Sequence, residues 1–253
     1  MVDDIMDKLG IWIPTYNRPD YFHRLINSIN SQKDKVHVWV GLQPPYDNYN
    51  IPDWCNVIYN ETNIGQSLNI MQGIEKVPTE YLWMVGDDEQ VLPNAIEEIL
   101  RLIEYNPGMI ICTDDKFNHG PNGLFQNWSE WMQECINCNR EVMLTAQTLM
   151  TVTVFRRKGV NIEESYKYLN TRYGHHFGIL SGLISEPVAV TNYPVFISGK
   201  AVNSHVWSES SSYQNEHCFV TSGSLTELIR YASELTGNEY PSSCYQPGIG
   251  FDS

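Results

Sequence analysis

The sequence lacks several features that mark common classes of protein. No apolar stretch is long enough to span a membrane, and the N-terminus, Met1-Val2-Asp3-Asp4-Ile5, lacks the basic and apolar regions of a signal peptide. The glycine-rich dinucleotide fingerprint is missing after the first predicted strand, as is a phosphate loop ending in Gly-Lys-Ser/Thr. These absences argue against a dehydrogenase or an ATPase. We expect a cytoplasmic protein without a membrane span, for which peripheral membrane association stays open.

Basic residues are scarce in this chain. Lys and Arg number 16 against 30 Asp and Glu, so the formal net charge is −14 at pH 7. Such a chain is a poor partner for duplex nucleic acid or for an anionic membrane surface. An anionic substrate stays compatible if a metal ion carries the opposing charge. The composition therefore predicts no nucleic-acid partner.

Cysteine is sparse as well, with six residues scattered over 253. Cys135 and Cys138 have C-x-x-C spacing, but the chain has no second pair at that spacing, so zinc binding is a weak hypothesis. Scattered cysteines without a secretion signal are typical of reduced, cytosolic proteins.

Strand-like and helix-like patterns alternate through the first 115 residues. Apolar runs predict strands at residues 9–13, 36–42, 54–59, 81–85 and 109–113, and apolar residues at helical spacing predict helices between most of them. We expect the first strand to end at Pro14, because proline cannot donate to a central ladder. This alternation is the signature of a parallel, doubly wound sheet.

The pattern is less regular after residue 115. Residues 116–139 predict a long loop of the lid or binding type. Further strands are predicted at 151–155, 188–190 and 195–197, and helices after His175-His176 and from Ser224 to Leu235. The tail from Gly237 is rich in Pro, Gly and Ser, so we expect it to be flexible.

The most informative stretch is an apolar run that ends in Gly86 and three acids, Asp87, Asp88 and Glu89. Neighbouring carboxylates repel, so they need a cation or strong solvation. Mg²⁺ takes carboxylate and phosphate oxygens together, and open α/β sheets bind ligands at the carboxyl ends of their strands. The stretch therefore predicts a metal–diphosphate site. The alternative is an acidic loop that stabilises the start of the next helix.

Four motifs in order resemble the GT-A nucleotide-sugar glycosyltransferases, specifically glycosyltransferase family 2. The resemblance covers roughly the first 200 residues. It implies an α/β fold with a Rossmann-like, mostly parallel sheet flanked by helices. It also implies one domain over residues 1–236, with a nucleotide-sugar half (1–115) and an irregular acceptor half (116–236), and a tail at 237–253. The motifs are Ile13-Pro14-Thr15-Tyr16-Asn17-Arg18, Asn63-Ile64-Gly65, Trp83-Met84-Val85-Gly86-Asp87-Asp88-Glu89 with Leu92-Pro93, and Val154-Phe155-Arg156-Arg157.

The resemblance also implies a donor site and a metal. Asp88 is the implied ligand of Mn²⁺ or Mg²⁺, Asp87 is placed for the ribose or the metal, and His205 is a candidate third ligand. Gln43 stands where the family often has an Asp that contacts the base, which leaves the nucleotide open among UDP, the commonest, GDP and dTDP. The predicted donor-binding residues are Pro14, Thr15, Tyr16, Arg18, Gln43, Asn63, Gly65, Gly86, Asp87, Asp88 and Arg156.

The catalytic base is the largest departure from the family pattern. Inverting members usually present Glu-Asp at the start of a helix in the acceptor half, and His175-His176 stand in that place here. A neutral imidazole can take a hydroxyl proton near neutral pH, so His176 is the first candidate base and His175 the second. Asp114 and Asp115, at the end of the fifth strand, are rival bases. The alternative for the histidines is a structural role.

The sequence thus predicts a metal-dependent, inverting glycosyltransferase. It would move a sugar from a nucleotide diphosphate, with a UDP-sugar as first choice, to a hydroxyl of a growing glycan. A GT-A-like module that binds nucleotide or sugar without transfer is the alternative, motivated by the missing Glu-Asp pair. Trp128 and Trp131 predict either stacking on an acceptor sugar or packing in the core.

Overall fold

The architecture is one mixed sheet with helices around it. A computed structural model describes residues 7–114, 121–138, 150–171, 173–199 and 222–240. The strands are β1 Leu9–Tyr16, β2 His37–Gln43, β3 Cys55–Tyr59, β4 Tyr81–Met84, β5 Gln90–Val91, β6 Met109–Asp114, β7 Gly123–Phe125, β8 Thr153–Arg156 and β9 Val188–Ile197. The helices are α1 Pro19–Ile29, α2 Gln66–Lys76, α3 Ala95–Ile103, α4 Trp128–Asn137, α5 Ile162–Lys167, α6 Gly174–Leu183 and α7 Ser222–Thr236.

The sheet reverses its strand order between β1 and β4. Its order is β3-β2-β1-β4-β8-β6-β9-β5, with β7 also paired to β9. The first four strands are parallel, whereas β8 is antiparallel to both β4 and β6. The chain builds outward from β1 to β3 and then returns to the other side of β1. In open α/β sheets, ligands bind where the order reverses, outside the carboxyl ends of the strands. We call this edge of the sheet, beside the ends of β1 and β4, the crevice.

Apolar periodicity explains how the helices cover this sheet. The buried side chains of α1 are Phe22, Leu25, Ile26 and Ile29, which follow the i, i+3, i+4, i+7 spacing of one helix face. The α2 helix approaches β1 closely at Gly73, where a Cβ would lie 2.4 Å from Cγ of Trp12. Helix packing of this kind holds β1 rigidly, and β1 leads directly into the crevice.

The expected end of β1 at Pro14 is wrong. The strand continues to Tyr16, and Pro14 lies opposite Gly41 in the pairing with β2. The carbonyl of Trp12 accepts the Val85 N–H from the β4 side, so by alternation the Pro14 nitrogen also faces that side. The last β4 residue in the ladder is Met84, and a donor at Pro14 would therefore have had no ladder partner.

Two other expectations for the second half need correction. The predicted loop at 116–139 contains β7 and α4, and Asn127 begins α4 by accepting the Glu130 N–H on its side chain. The two predicted strands at 188–190 and 195–197 are one strand, β9. Its residues 188–190 pair with both β6 and β7, and its residues 196–197 pair with β5. In the predicted tail, Tyr240 is buried and packs edge-on against Trp128, with ring centroids 5.5 Å apart.

None of the helices in the described ranges is long and apolar enough to cross a bilayer.

Candidate functional site

The crevice beside β1 and β4 brings the first and third motifs together. Trp12 lies opposite Met84 in the ladder, so Thr15 and Asp87 each follow three residues later on neighbouring strands. Thr15 Oγ1 donates to Oδ2 of Asp87 at 2.7 Å. Arg18 Nη2 lies 2.8 Å from Asp87 Oδ1, and its Nη1 lies 3.5 Å from Asp88 Oδ2. The strand register therefore assembles these residues into one polar cluster.

The two aspartates of this cluster have different environments. Asp87 is 1% exposed, and burial raises its pKa to about 6, although the Arg18 cation and the Thr15 hydroxyl act in the opposite direction. The Asp88 side chain is 29% exposed, and its backbone carbonyl accepts from Arg24 Nη2 at 2.8 Å. Asp87 is thus held by protein groups, whereas the Asp88 carboxylate faces the crevice and can accept a ligand.

Glu89 adds a third carboxyl group at the edge of the crevice. Burial, together with the nearby charges of Asp88 and Asp114, raises its pKa to about 8. Its Oε2 is buried without a hydrogen-bond partner in the part of the chain that the structure describes. Asp114 in turn accepts a hydrogen bond from Ser198 Oγ at the end of β9. At neutral pH this glutamate is protonated, and Asp87 and Asp88 carry the negative charge nearest to Arg18.

Gly86 and Gly199 allow the acidic turn to close tightly. The Gly86 N–H donates to Thr151 Oγ1 at 3.2 Å, which ties the turn to the segment before β8. A Cβ on Gly199 would lie 2.6 Å from the Asp88 carbonyl oxygen. Only glycine fits this approach without displacing backbone, so the end of β9 fixes the position of Asp88.

The predicted residues at the ends of β2 and β3 lie along the same edge of the sheet. Tyr16 and Gln43 are paired at the ends of β1 and β2. Gln43 Oε1 accepts the Ile64 N–H at 2.7 Å, and Asn63 Oδ1 accepts the Gly65 N–H at 2.9 Å. Gly65 has a φ of 81°, a conformation that favours glycine, and it leads into α2. This edge is continuous with the Asp87–Arg18 cluster.

Arg156 lies elsewhere. It is opposite Tyr81 at the start of β4, so it occupies the opposite edge of the sheet from the acidic turn. Its Nη2 donates to the carbonyls of Asn106 and Pro107, and its Nη1 pairs with Glu186 at 3.3 Å. These contacts tie two loops together, and the structure does not bring Arg156 into the predicted donor site.

The histidine pair begins α6, and both side chains are only 5% exposed. Their ring centroids are 4.1 Å apart. Burial, together with the neighbouring His176, holds the pKa of His175 well below its usual range, so His175 is neutral. His176 lines a cavity of about 20 Å³ with Met109, Trp128 and other mostly apolar side chains. The structure thus places the pair in mostly apolar surroundings, and the roles of these histidines stay predictions.

The structure describes the remaining predicted residues except two, which lie outside the described ranges. Trp128 and Trp131 are 0% exposed, which is a packing role. Cys135 is buried and Cys138 is exposed. Asp115 and His205 lie outside the described residues, within which no three His, Cys, Asp or Glu side chains converge as a complete metal site.

Sequence reasoning missed three contributors to the crevice. Arg24 and Thr151 contact the acidic turn, and Tyr49 contacts Thr15 and Arg18. Asp114, which was considered as a rival base, raises the pKa of Glu89 through its charge. The three missed residues sit on the polar face of a helix, beside a short strand and in a loop, where no spacing rule points to the site.

Comparison with known proteins identifies the family. The family model described as glycosyl transferase family 2 matches residues 11–163, which include β1, the acidic turn and β8. The chain belongs to glycosyl transferase family 2. This family 2 member is also 22% identical over 218 residues to the abequosyltransferase RfbV of Salmonella typhimurium, and the match covers 73% of this chain. The chain spans 63% of that relative's length.

Solved structures show the same fold at low sequence identity. TarS of S. aureus, residues 1–349, crystallised with UDP-GlcNAc, superposes with a TM-score of 0.60 at 15% identity, covering 94% of this chain and 69% of that one. The mannosyltransferase PcManGT of Pyrobaculum calidifontis, in complex with GDP-Man and Mn²⁺, gives a TM-score of 0.51 at 11% identity, covering 93% and 77%. The predicted α/β, GT-A fold class and the predicted family are therefore confirmed for this family 2 member.

Proposed function

We propose that this chain is a glycosyltransferase that moves a sugar from a nucleotide diphosphate, with a UDP-sugar as first choice, to a hydroxyl of a glycan acceptor. One observation carries the proposal. The carboxylates that follow β4 meet Thr15 at the end of β1 and Arg18 just after it, where the strand order reverses. We also propose that residues 1–236 work as one domain, with the donor in the first half and the acceptor in the second.

The charge of the crevice supports a divalent metal ion as part of the donor site. Asp87 and Asp88 pair with the Arg18 guanidinium, Arg24 donates to the Asp88 backbone carbonyl, and the Asp114 charge acts on the neighbouring Glu89. A diphosphate entering this negative site needs an additional cation. The partly exposed Asp88 carboxylate fits Mg²⁺ or Mn²⁺, because such ions are commonly held by one or two carboxylates together with substrate phosphates. The relative crystallised with GDP-Man and Mn²⁺ is consistent with that choice.

The protein groups have distinct tasks in this proposal. Asp88 would hold the metal ion, which when bound offsets the negative charge of the diphosphate leaving group. Thr15 and Arg18 keep Asp87 in place, and the partly exposed Arg18 guanidinium lies within reach of a phosphate oxygen. Gln43 and Asn63, on the edge of the sheet beside β2 and β3, are proposed to line the path of the nucleoside.

His176 is the proposed base of an inverting transfer, with His175 or Asp115 as alternatives. Burial and the neighbouring His176 hold the pKa of His175 well below its usual range, so His175 accepts a proton less readily than an ordinary imidazole and stays the second choice. In the proposed step the base removes the acceptor hydroxyl proton while the acceptor oxygen bonds to C1 of the sugar. The bond between C1 and the diphosphate oxygen breaks on the opposite side.

The burial of both histidines favours a second candidate, a module that binds the nucleotide-sugar and does not transfer it. Side chains that are 5% exposed have little surface to offer an acceptor. In this second candidate the donor site binds the nucleotide-sugar, but neither histidine acts as a base.

The release of nucleoside diphosphate from a panel of nucleotide-sugars, with Mn²⁺ and candidate glycans, tests the two functions. The glycosyltransferase proposal expects release by the wild type and a loss of about a hundredfold or more in His176→Ala, since general base catalysis contributes about 10²–10⁴. Tyr166→Phe, an exposed change on α5, serves as the control and should keep full activity. Nucleotide binding without release from any donor would favour the binding module. Full activity in His176→Ala would refute the proposed base.

A further inference from the structure

Tyr49 connects a surface loop to the donor site. It belongs to the β2–β3 loop, residues 44–54, and its ring packs against Phe22 of α1 with centroids 5.4 Å apart. Its hydroxyl accepts the Arg18 N–H at 2.8 Å and lies 3.1 Å from Thr15 Oγ1. The loop therefore touches both residues that hold Asp87, through the Tyr49 hydroxyl.

The hydrogens of this cluster can be placed by counting donors. Ionised Asp87 can only accept, so the single hydroxyl hydrogen of Thr15 is used at Asp87 Oδ2, 2.7 Å away. Thr15 can then only accept from Tyr49, whose own oxygen accepts the Arg18 N–H. The result is a directed chain of hydrogen bonds from the Arg18 backbone through the two hydroxyls to Asp87.

Arg18 contacts both ends of this chain of hydrogen bonds. Arg18 donates its backbone N–H to the start of the chain, and its guanidinium lies 2.8 Å from the carboxylate at the end. Each hydroxyl in the chain donates once and accepts at least once, an arrangement in which the bonds polarise and strengthen one another. Removing the Tyr49 hydroxyl would leave the Arg18 N–H and the Thr15 oxygen without this partner.

From these contacts we infer that Tyr49 is a positioning residue for the donor site: its hydroxyl couples the seating of the β2–β3 loop to the geometry of Asp87 and Arg18. The inference rests on the proposed function, because it assigns to Tyr49 the task of preparing the nucleotide diphosphate site. Ligand binding that shifts residues 44–54 would change the support of Asp87, and a well-placed Asp87 and Arg18 would favour the seated loop.

The same loop offers a matched control. The Tyr46 hydroxyl donates to the backbone carbonyl of Asn60. Elsewhere in the loop, the Asn50 N–H donates to the His23 side chain at 3.1 Å. These bonds anchor the loop without entering the chain that ends at Asp87. Tyr46→Phe removes one hydroxyl from the loop just as Tyr49→Phe does, and both variants keep their aromatic rings.

Calorimetric titration of the full chain with UDP in the presence of Mn²⁺ tests the inference. We expect Tyr49→Phe to raise the dissociation constant about tenfold, because about two hydrogen bonds are lost, and Tyr46→Phe to raise it less than about twofold. In a double-mutant cycle, Tyr49→Phe should cost less in a Thr15→Val background than alone, whereas Tyr46→Phe should be additive with it. A purely structural role would not produce that selective coupling.

The outcomes separate this inference from the proposed function. If the wild type binds UDP and Tyr49→Phe binds it equally well, the role of Tyr49 is refuted while the proposed function stands. Equal weakening by both tyrosine variants, or additivity of Tyr49→Phe with Thr15→Val, also refutes it. If the wild type binds none of UDP, GDP, CDP and dTDP with Mn²⁺, the proposed function fails, and the role of Tyr49 fails with it.

Discussion

The acidic turn after β4 was predicted to bind a metal ion and a diphosphate, and the histidine pair of α6 was predicted to supply the catalytic base. The two motifs lie in different surroundings in the structure. The acidic turn lies where two neighbouring parallel strands end in register, with hydrogen bonds and an ion pair to residues 72 and 69 positions away in sequence (87 − 15 and 87 − 18). The histidines are buried at the start of a helix, beside a small, mostly apolar cavity. The first arrangement is built around polar groups, and the second around packing.

The difference teaches which kinds of motif can be located from sequence. Residues that directly follow predicted parallel strands all lie on one edge of the sheet, whatever their distance along the chain. The position of a helix start in the acceptor half depends on how several helices pack, which no local pattern specifies. Substitutions in the acidic turn and at the residues around it therefore test the proposed donor site directly.

The largest effect is expected for Asp88→Ala. If its carboxylate holds a divalent ion that bridges to the diphosphate, losing it should weaken metal-dependent nucleotide binding about a thousandfold, since metal interactions are worth several kcal/mol. Titration with UDP and Mn²⁺ measures this. Asp34→Ala, an exposed aspartate ahead of β2, is the matched control and should bind normally. Unchanged affinity in Asp88→Ala would remove the acidic turn from the donor site.

Arg18→Ala should cost stability as well as binding. The substitution leaves the buried Asp87 without its cation, and breaking a largely buried ion pair typically costs about 3–4 kcal/mol. Urea unfolding measures the change. Arg101→Ala breaks an exposed pair with Glu98 and should cost less than about 1 kcal/mol. Equal losses in the two variants would mean that Asp87 is solvated rather than held by Arg18.

Stability should fall as pH rises through the window set by Glu89. Its pKa is about 8 in the folded protein against 4.5 as the ordinary value, so the folded state binds the extra proton and loses that advantage between about pH 4.5 and 8. In the presence of chelator, the wild type should lose about 2 kcal/mol more than Glu89→Gln between pH 5 and 8. The exposed substitution Glu104→Gln should follow the wild type. Parallel pH profiles for wild type and Glu89→Gln would contradict the buried, protonated Glu89.

The smallest effect on binding is expected for Arg156→Ala. Arg156 resembles a phosphate ligand in sequence but holds loops at the other edge of the sheet. The variant should keep its nucleotide affinity within about twofold and lose about 1 kcal/mol of stability from its hydrogen bonds. A tenfold loss of affinity with unchanged stability would return Arg156 to the donor site.

The fold of the first 114 residues was largely predictable because its signals are local and mutually consistent. Continuous apolar strands alternate with amphipathic helices such as α1, whose buried face follows the predicted spacing. The end of β1 was misplaced because the rule about proline ignores which neighbour the missing donor would face. The α4 helix was missed because Gly120, Pro121 and Gly123 suggested a loop and hid the spacing of its buried residues Trp128, Trp131, Met132 and Cys135.

The candidate donor site was easier to locate at strand ends than in loops. Thr15, Arg18, Asp87 and Asp88 lie together in the structure, and their roles in donor binding stay predictions. Tyr49 reaches the same cluster from a loop rich in Pro, Tyr and Asn. No sequence pattern distinguishes Tyr49 from Tyr46 in that loop. Its contact depends on how the loop returns over α1, which is a tertiary property.

The central claim is that the crevice between β1 and β4 binds a nucleotide diphosphate through a metal ion. The most direct measurement is the thermal unfolding midpoint of the wild type with UDP, GDP, CDP and dTDP, each with Mn²⁺, with Mg²⁺ and with chelator. A nucleotide at a hundred times its dissociation constant adds about 2.7 kcal/mol, or about 5–10 °C for a chain of this size. The account predicts such a shift for at least one nucleotide, and only when metal is present. No shift with any nucleotide, or an equal shift with chelator, would contradict it.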